Sequence, residues 1–205
     1  GGISRIFHEK DPAWVIASIR KNSGLEWIRA GSAFIVISEQ DGWRHAYICS
    51  RDGKEQTLLT PGEFDIIEKV KVDEKRGWFY FNASPDNGSQ KYLYRVSLDG
   101  SGKPERVTPI GRAGTHTYQF SPDARWAFHA YSNFDSPPVT ELVEFPDHVA
   151  VRVLESNEAL RQKMNKLPTR PTEFFQIDIG DGIVMDAWMI KPSSFDPSKK
   201  YPVLV

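Results

Sequence analysis

Two of the five histidines in this 205-residue chain lie where imidazole chemistry could be considered. Histidine exchanges protons near neutral pH, so a well-placed histidine can act as a general acid or base. His45 belongs to a Gly-Trp-Arg-His segment within a repeat, and a strand histidine there usually donates to a backbone carbonyl. His116 follows Gly-Thr and precedes Tyr118, without a serine or cysteine nucleophile motif nearby. We therefore predict a structural strand position for His45 and a turn position for His116, with no catalytic residue in the chain.

Other residues with ligand chemistry give weaker signals. The segment 8–11 (HEKD) contains metal-binding residue types, but it lacks the two histidines four positions apart that a zinc peptidase helix uses. The single cysteine, Cys49, excludes an intrachain disulfide and a multi-cysteine zinc site. Cys49 alternates with Tyr47 on a predicted strand, where it is expected to be a small buried side chain. We expect no metal site and no cofactor.

Short motifs can be assigned to turns or to chance. A hydrolase nucleophile elbow needs Gly-x-Ser-x-Gly, and no serine of this chain has glycine at both required positions. The segments 100–102 (GSG) and 180–182 (GDG) do not open helices, so we predict hairpin turns and not phosphate loops. The segments 82–84 (NAS) and 87–89 (NGS) match the N-glycosylation pattern. So short a pattern also arises by chance.

Composition excludes two kinds of partner. With 26 Lys+Arg against 27 Asp+Glu, the net charge of −1 lacks the basic excess that binding to nucleic acid phosphates needs. The longest apolar runs, such as 33–37 (AFIVI), are far shorter than the ~20 residues of a membrane helix. No segment has the basic and then apolar pattern of a signal peptide. We therefore expect neither a nucleic-acid partner nor a membrane-spanning segment.

A repeat organises the chain. Ser38, Ser84 and Ser132 end equivalent predicted strands and lie 46 and 48 residues apart. Two Asp-Gly pairs, at 52–53 and 99–100, predict hairpins with positive φ at both turn positions. A period near 47 residues with four short strands per unit is typical of a β-propeller blade. A sandwich without radial repetition is the alternative, but sandwiches rarely keep such regular spacing.

The repeat leads to a division into domains. We predict an all-β partial propeller over residues 1–154, with about three four-stranded antiparallel blades between 26 and 154. Residues 155–171 are predicted to form a short helix, near 157–166, and a linker that includes 169–172. Residues 172–205 are predicted to start with a hairpin and to end in a strand, 201–205, that is buried on both faces of a sheet. Because the chain ends within that strand, we expect it to be part of a longer protein. Four tryptophans at strand positions are predicted to pack between blades: Trp27, Trp43, Trp78 and Trp126.

Several segments in order resemble the dipeptidyl peptidase IV family. Residues 38–47 (SEQDGWRHAY) and 131–142 (YSNFDSPPVTEL) resemble blades of that family's propeller, and 152–157 (RVLESN) resembles the segment that leaves the last blade. Residues 188–192 (WMIKP) and 195–205 (FDPSKKYPVLV) resemble the first strands of its α/β-hydrolase domain. The ordered combination, from about residue 6 to residue 205, is more specific than any single blade motif.

The resemblance implies a peptidase function, but the residues that carry out this function in the family are not matched in this chain. Members of the family are serine exopeptidases that remove dipeptides from peptide N-termini, and their propeller limits access to a Ser-Asp-His triad in the hydrolase domain. The triad, the oxyanion tyrosine and the paired glutamates of the family are not matched, so no catalytic or substrate-binding residue is carried over. The implied partners are peptide substrates of the parent enzyme, and an exported bacterial protein is the implied setting. A free-standing propeller used for binding is the alternative function. Because three blades leave open sheet faces, we also expect a homo-oligomer.

Overall fold

The spacing of apolar strands produces four-stranded antiparallel sheets in the computed structural model, which describes residues 2–13, 15, 25–168 and 171–204. In the first blade, a single 3-10 turn connects the first two strands, and every residue of the second strand is buried. The strands, in order across the sheet, are β1 Glu26–Ile28, β2 Ala33–Ser38, β3 His45–Ser50 and β4 Gln56–Leu58.

The second and third blades repeat this meander, which confirms the predicted partial propeller. The second blade consists of β5 Ile66–Asp73, β6 Trp78–Ala83, β7 Tyr92–Ser97 and β8 Glu105–Arg106. The third blade consists of β9 Thr115–Phe120, β10 Trp126–Asn133, β11 Ser136–Glu144 and β12 Val149–Glu155. In each blade sequential strands are hydrogen-bonded neighbours. Side chains alternate between the two faces of each sheet because successive residues of a strand point to opposite sides.

The first two blades pack through an apolar interface. Phe79 and Phe81 of β6 are fully buried, and Phe81 packs against both Phe64 and Tyr94 with ring centroids 6.1 and 5.9 Å away. Ile35 of the first blade belongs to the same core. Each such side chain contributes roughly 1.5–3 kcal/mol through burial, so this interface is a major source of stability.

Only one of the four tryptophans contributes to the predicted core between blades. Trp78 is half-buried and packs against the apolar cluster between the second and third blades, with Arg95 over its ring at 4.5 Å. Trp27 and Trp43 are 45% and 39% exposed, and Trp126 is half-buried at the start of its strand. The prediction was wrong for these three because phenylalanine and tyrosine occupy the inward positions at the strand centres.

The Asp-Gly loops differ in detail from the prediction. Gly53 and Gly100 have φ values of 72° and 77°, but among the described residues with positive φ neither aspartate occurs. Asp52 instead accepts hydrogen bonds through Oδ1 from Ser50 Oγ at 2.7 Å and from Lys54 N at 3.2 Å. A Cβ at Gly53 would lie 1.9 Å from the Ile6 carbonyl oxygen. Glycine is therefore needed here for the close approach of the N-terminal segment as well as for the turn.

The C-terminal region contains a helix and a separate hairpin. The helix α1 spans Glu158–Met164, as predicted, and none of its residues is buried. The hairpin pairs β13 Glu173–Asp178 with β14 Val184–Met189, and its turn contains the predicted 180–182 segment. Of the predicted linker, residues 169 and 170 lie outside the described residues. No helix in the described part of the chain is long and apolar enough to cross a membrane.

The predicted buried strand at 201–205 is not formed over its described residues, 201–204. Val203 and Leu204 are 82% and 102% exposed. A strand requires hydrogen-bonding neighbours, and here no neighbouring strand lies beside this run within the described ranges. The prediction of a buried strand was therefore wrong for residues 201–204, because the conformation of an apolar run depends on a neighbouring strand that its own sequence does not supply.

Candidate functional site

A cleft separates the blades from the C-terminal hairpin. One cavity of about 700 Å³ lies between the 85–89 loop, which joins β6 to β7, and the hairpin residues Phe174, Gln176, Asp186 and Trp188. A second cavity of about 380 Å³ shares Ser89 and Phe174 with the first and extends along residues 113–115 and 132–135. The two cavities therefore form neighbouring parts of one cleft.

Aromatic rings hold the hairpin against the third blade. Phe134, in the turn between β10 and β11, contacts Phe174 and Trp188 with ring centroids 5.4 and 5.0 Å away. All three rings remain partly exposed, so the same surface faces the cleft. An exposed aromatic patch of this kind can bind apolar groups of a ligand.

The polar groups of the cleft are suited to binding. Asp86 and Asp186 are exposed on its two sides, and Gln176 Nε2 donates to Asp186 Oδ1 at 3.1 Å. Ser89 Oγ donates to Asn87 Oδ1 at 2.7 Å and so has no general base as partner. Histidine is absent from the described residues that line the two cavities. The cleft can therefore bind a ligand, but it lacks a nucleophile–base pair in its described lining.

His45 takes the predicted structural strand position. It begins β3, is 2% exposed, and packs edge-on against Phe64. Its Nδ1 lies 2.8 Å from Asp41 Oδ2, so the partner is a side-chain carboxylate and not the expected backbone carbonyl. Burial raises the pKa of Asp41, but hydrogen bonds from His45 and Tyr47 outweigh this effect and lower that pKa below its ordinary value. His45 thus anchors the loop between β2 and β3.

His116 does not lie in a turn, so that prediction was wrong. It lies in β9, is fully buried, and joins a hydrogen-bonded chain across the third blade. Its Nε2 lies 2.9 Å from the Arg112 carbonyl oxygen, and its Nδ1 lies 2.8 Å from His129 Nε2. His129 Nδ1 lies 3.0 Å from Glu141 Oε1, which also accepts a hydrogen bond from the Arg112 guanidinium. We call these four residues the Arg112 ring, because the series begins and ends on Arg112.

A second polar series borders the ring. Tyr118 stacks on His129 with ring centroids 4.4 Å apart. The Tyr118 hydroxyl lies 2.9 Å from both Thr108 Oγ1 and His148 Nε2. His148 is 7% exposed and contacts His129 edge-on at 5.0 Å. The interface between the second and third blades therefore contains three histidines, with His129 in contact with both His116 and His148.

Burial controls the ionisation of these histidines. It lowers the pKa of His116 to about 4, and it also lowers the pKa of His148. Burial lowers the pKa of His129 to about 4 as well, although the hydrogen bond to Glu141 opposes the shift. For Glu141, burial raises the pKa, yet the hydrogen bonds from Arg112 and His129 outweigh it and lower the pKa below its ordinary value. Glu141 is therefore the stable negative charge of the ring.

The remaining sequence candidates take structural roles. Glu9, within the 8–11 segment, accepts through Oε1 from Ser38 Oγ at 2.6 Å and from the Glu39 amide at 3.0 Å, which fastens this segment to the first blade. No group of metal-ligating side chains occurs among the described residues. Cys49 is 3% exposed, as predicted, and burial raises the pKa of its thiol, which makes it unreactive.

The two glycosylation patterns differ in exposure. Asn82 is fully buried in β6, where its Nδ2 donates to Glu68 Oε1 at 2.9 Å. Asn87 is half-buried at the cleft, and its Oδ1 accepts from the Ser89 amide at 2.9 Å. A modifying enzyme could reach only Asn87 in the folded chain.

Arg112, His129 and Glu141 were not predicted from the sequence. A signal was present, because Ala127, His129 and Tyr131 alternate along β10 and so share a face with the core. A charged or titratable side chain at an inward-facing position needs partners. Those partners come from the loop before β9 and from β11, and strand periodicity alone does not indicate which residues they are.

Comparisons with known proteins agree with this architecture. Residues 3–138 match the family model described as the dipeptidyl peptidase IV (DPP IV) N-terminal region. The dipeptidyl peptidase 4 of Trichophyton rubrum is 28% identical over 207 residues, which cover 98% of this chain and 26% of that protein. The probable dipeptidyl peptidase 4 of Emericella nidulans is also 28% identical, with 99% of this chain and 27% of that protein covered. The chain thus spans about a quarter of the length of the curated relatives it matches.

Solved structures extend the likeness to three dimensions. The crystal structure of Porphyromonas gingivalis dipeptidyl peptidase 4 superimposes with a TM-score of 0.78 at 26% identity, covering 87% of this chain and 25% of that one. A putative dipeptidyl aminopeptidase IV from Bacteroides ovatus gives 0.71 at 21% identity and supports the fold alone. The family model covers well over half of the chain, and the relatives cover nearly all of it. This chain belongs to the dipeptidyl peptidase IV N-terminal region family.

Proposed function

We propose that this chain supplies the propeller wall of a dipeptidyl peptidase IV-like serine exopeptidase, which releases dipeptides from the N-termini of peptides. In this role the blades and the hairpin limit which peptides reach the catalytic groups, and those groups belong to other parts of the enzyme. The observation that carries the proposal is the cleft between the 85–89 loop and the hairpin, which has binding chemistry but no nucleophile–base pair in its described lining.

The chemistry of the cleft suits a peptide with a free amino terminus. The Trp188 and Phe174 rings can pack against apolar side chains, while the carboxylates of Asp86 and Asp186 attract an ammonium group. The named activity of the relatives, which match nearly the whole chain, supports peptides as the ligand class.

Two assays test the two parts of this proposal. The chain alone should not release p-nitroaniline from Ala-Pro-p-nitroanilide, and turnover by the purified chain that is lost in His45→Ala would overturn the non-catalytic role. A peptide that begins Ala-Pro and carries a fluorophore at its C-terminus should bind the chain, with affinity measured by fluorescence anisotropy. We expect Trp188→Ala to weaken binding about fivefold, as expected for the loss of one aromatic contact.

A matched control separates the cleft from general surface effects. Trp43→Ala removes an equally large ring that is 39% exposed but lies in the loop between β2 and β3, away from the cleft. It should leave peptide affinity unchanged. Equal affinity of Trp188→Ala and the unmodified chain would contradict the assignment of the cleft.

A further inference from the structure

The Arg112 ring contains three contacts that each require one proton. These contacts join the Arg112 carbonyl to His116, His116 to His129, and His129 to Glu141, at 2.9, 2.8 and 3.0 Å. A hydrogen bond needs a donor on one side and an acceptor on the other. Three contacts in series therefore need three protons.

Neutral side chains supply only two of them. A neutral imidazole carries one ring proton, and an ionised carboxylate carries none. The Arg112 carbonyl can only accept, so His116 must donate through Nε2, which leaves its Nδ1 as an acceptor. His129 must then donate through Nε2 to His116. Its Nδ1 would face Glu141 as a second acceptor, and that contact would repel instead of bind.

The missing proton completes all three contacts on either His116 or His129, but only His129 contacts a carboxylate. Glu141 is held as a carboxylate by the Arg112 guanidinium, which disfavours a protonated acid there. An imidazolium at His129 donates through both ring nitrogens, to His116 and to Glu141, and so completes all three hydrogen bonds. We propose that His129 takes up a proton from solvent before the other buried histidines do. This proton completes the hydrogen bonds of the Arg112 ring and thereby fixes the conformation of the segment 109–115.

The charged groups that face the two ring histidines favour a proton on His129 over one on His116, although His116 and His148 oppose a charge on His129. Glu141 is the only carboxylate in direct contact with either ring histidine among the described residues. The groups that face His116 and His129 from the surrounding elements are Tyr92 of β7, Arg106 of β8, Arg112 of the preceding loop, Tyr118 of β9, Tyr131 of β10, Glu141 of β11 and His148 of the β11–β12 turn. Arg106 and Arg112 disfavour a charge on His116, whereas Glu141 favours one on His129.

Backbone hydrogen bonds connect the segment 109–115 to the cleft. The Lys91 amide donates to the Gly114 carbonyl at 3.1 Å, and the His116 amide donates to the Lys91 carbonyl at 2.9 Å. Ala113, Gly114 and Thr115 line the second cavity beside Phe134. Fixing Arg112 at both its carbonyl and its guanidinium therefore fixes the wall of the cleft next to the aromatic patch. This inference concerns proton uptake and does not depend on peptide binding.

Nuclear magnetic resonance of the imidazole nitrogens tests the proposal on the intact chain. As pH is lowered from 8, we expect His129 to gain its second ring proton first, with a midpoint above those of His116 and His148, since a neighbouring carboxylate favours the charged imidazolium. The amide protons of Lys91, Arg112 and His116 should become better protected against exchange over the same pH range. A His129 midpoint equal to or below that of His148 would overturn the proposal.

A pair of isosteric variants on one strand sharpens the test. Glu141→Gln removes the charge but keeps an oxygen that can accept from His129, so the His129 midpoint should fall by at least ~1 pH unit. Glu144→Gln is the control, because Glu144 also lies on β11 and pairs with an arginine, Arg125, but outside the ring. Equal midpoints in the two variants would contradict the role of Glu141. If Glu141→Gln does not fold, the order of titration in the unmodified chain decides the question.

Discussion

The two interfaces between consecutive blades have the same strand geometry but different chemistry. Between the first and second blades, Phe81 stacks with Phe64 and Tyr94 in an apolar core. Between the second and third blades, Tyr80 packs on Phe120 and Phe145, but the neighbouring core positions contain the Arg112 ring and His148. A propeller repeat therefore fixes which positions face inward without fixing whether they are apolar.

The difference has a physical consequence. Apolar burial is non-directional and independent of pH, so the first interface depends mainly on side-chain volume. A buried hydrogen-bonded network depends on direction and on proton number, and a single missing partner leaves charge uncompensated. We expect the first interface to be sensitive to cavities and the second to be sensitive to charge and pH. Four experiments, in order of decreasing expected effect, test this difference between the two interfaces.

The largest effect is expected from a cavity in the apolar interface. Phe81→Ala should lower the free energy of unfolding by about 3–5 kcal/mol, because the ring is fully buried and its neighbours cannot fill the space. Urea denaturation followed by tyrosine and tryptophan fluorescence measures this loss. Phe128→Ala, at a residue that is 52% exposed, is the control and should cost less than ~1 kcal/mol. Equal losses would show that the first interface does not carry this stability.

Removal of the ring carboxylate should cost somewhat less. Glu141→Ala leaves Arg112 and His129 without their shared partner, and we expect a loss of about 3 kcal/mol at pH 7. The same denaturation experiment applies. Glu144→Ala breaks a more exposed ion pair on the same strand and should cost less than ~1 kcal/mol. A Glu141→Ala chain as stable as Glu144→Ala would mean that the ring is dispensable.

The pH dependence distinguishes the two interfaces directly. Burial lowers the pKa values of His116 and His129 to about 4 and also lowers that of His148, so the unfolded chain binds more protons than the folded chain as pH falls from about 6.5. The contribution of these histidines to the free energy of unfolding is thus complete above pH ~6.5. It decreases toward pH 5 by at most about 1.4 kcal/mol per pH unit for each histidine.

Variants test whether this pH dependence of stability arises at the interface between the second and third blades. His148→Gln should flatten the dependence of unfolding free energy on pH between 7 and 5. Phe81→Ala should lower stability by the same amount at both pH values, because its loss is apolar. A profile that stays flat in the unmodified chain would contradict the buried, neutral state of His116 and His148.

The smallest effect concerns the outer face of the third blade. Phe128 and Leu154 are 52% and 45% exposed beside a shallow depression of about 500 Å³, while the opposite face of the same sheet packs on the second blade. We propose that a second copy of this chain covers this face, since burial contributes about 25 cal/mol per Å² of apolar surface. Light scattering at tens of micromolar should detect dimers.

A charged side chain on the outer face of the third blade should prevent formation of this dimer. Phe128→Asp should shift the chain toward the monomer, whereas Ile67→Asp, at a residue 42% exposed on the second blade, should not. A monomer in the unmodified chain at that concentration would contradict the proposal. Dimers that persist in Phe128→Asp would place the contact elsewhere.

Much of the fold could be predicted from local patterns. The period near 47 residues indicated three blades, because each blade is a meander whose strands are neighbours in sequence as well as in space. The helix at Glu158–Met164 and the hairpin turn at 180–182 were predicted for the same reason. Cys49 and His45 were correctly placed on strands, since alternation fixes burial within a known strand.

Contacts between elements were decided only by the tertiary structure. His116 was assigned to a turn because the residues before it include glycine, yet its partners Arg112, His129 and Glu141 come from a loop and two further strands. The cleft is likewise formed by the 85–89 loop and by Phe174 and Trp188, which lie far along the chain. The strand expected at 201–205 did not form over its described residues, because a strand requires partners that its own sequence does not encode. Local sequence determined which residues face inward, and the packing of distant segments determined what those residues meet there, because hydrogen bonds and burial depend on neighbours in space and not on neighbours in the chain.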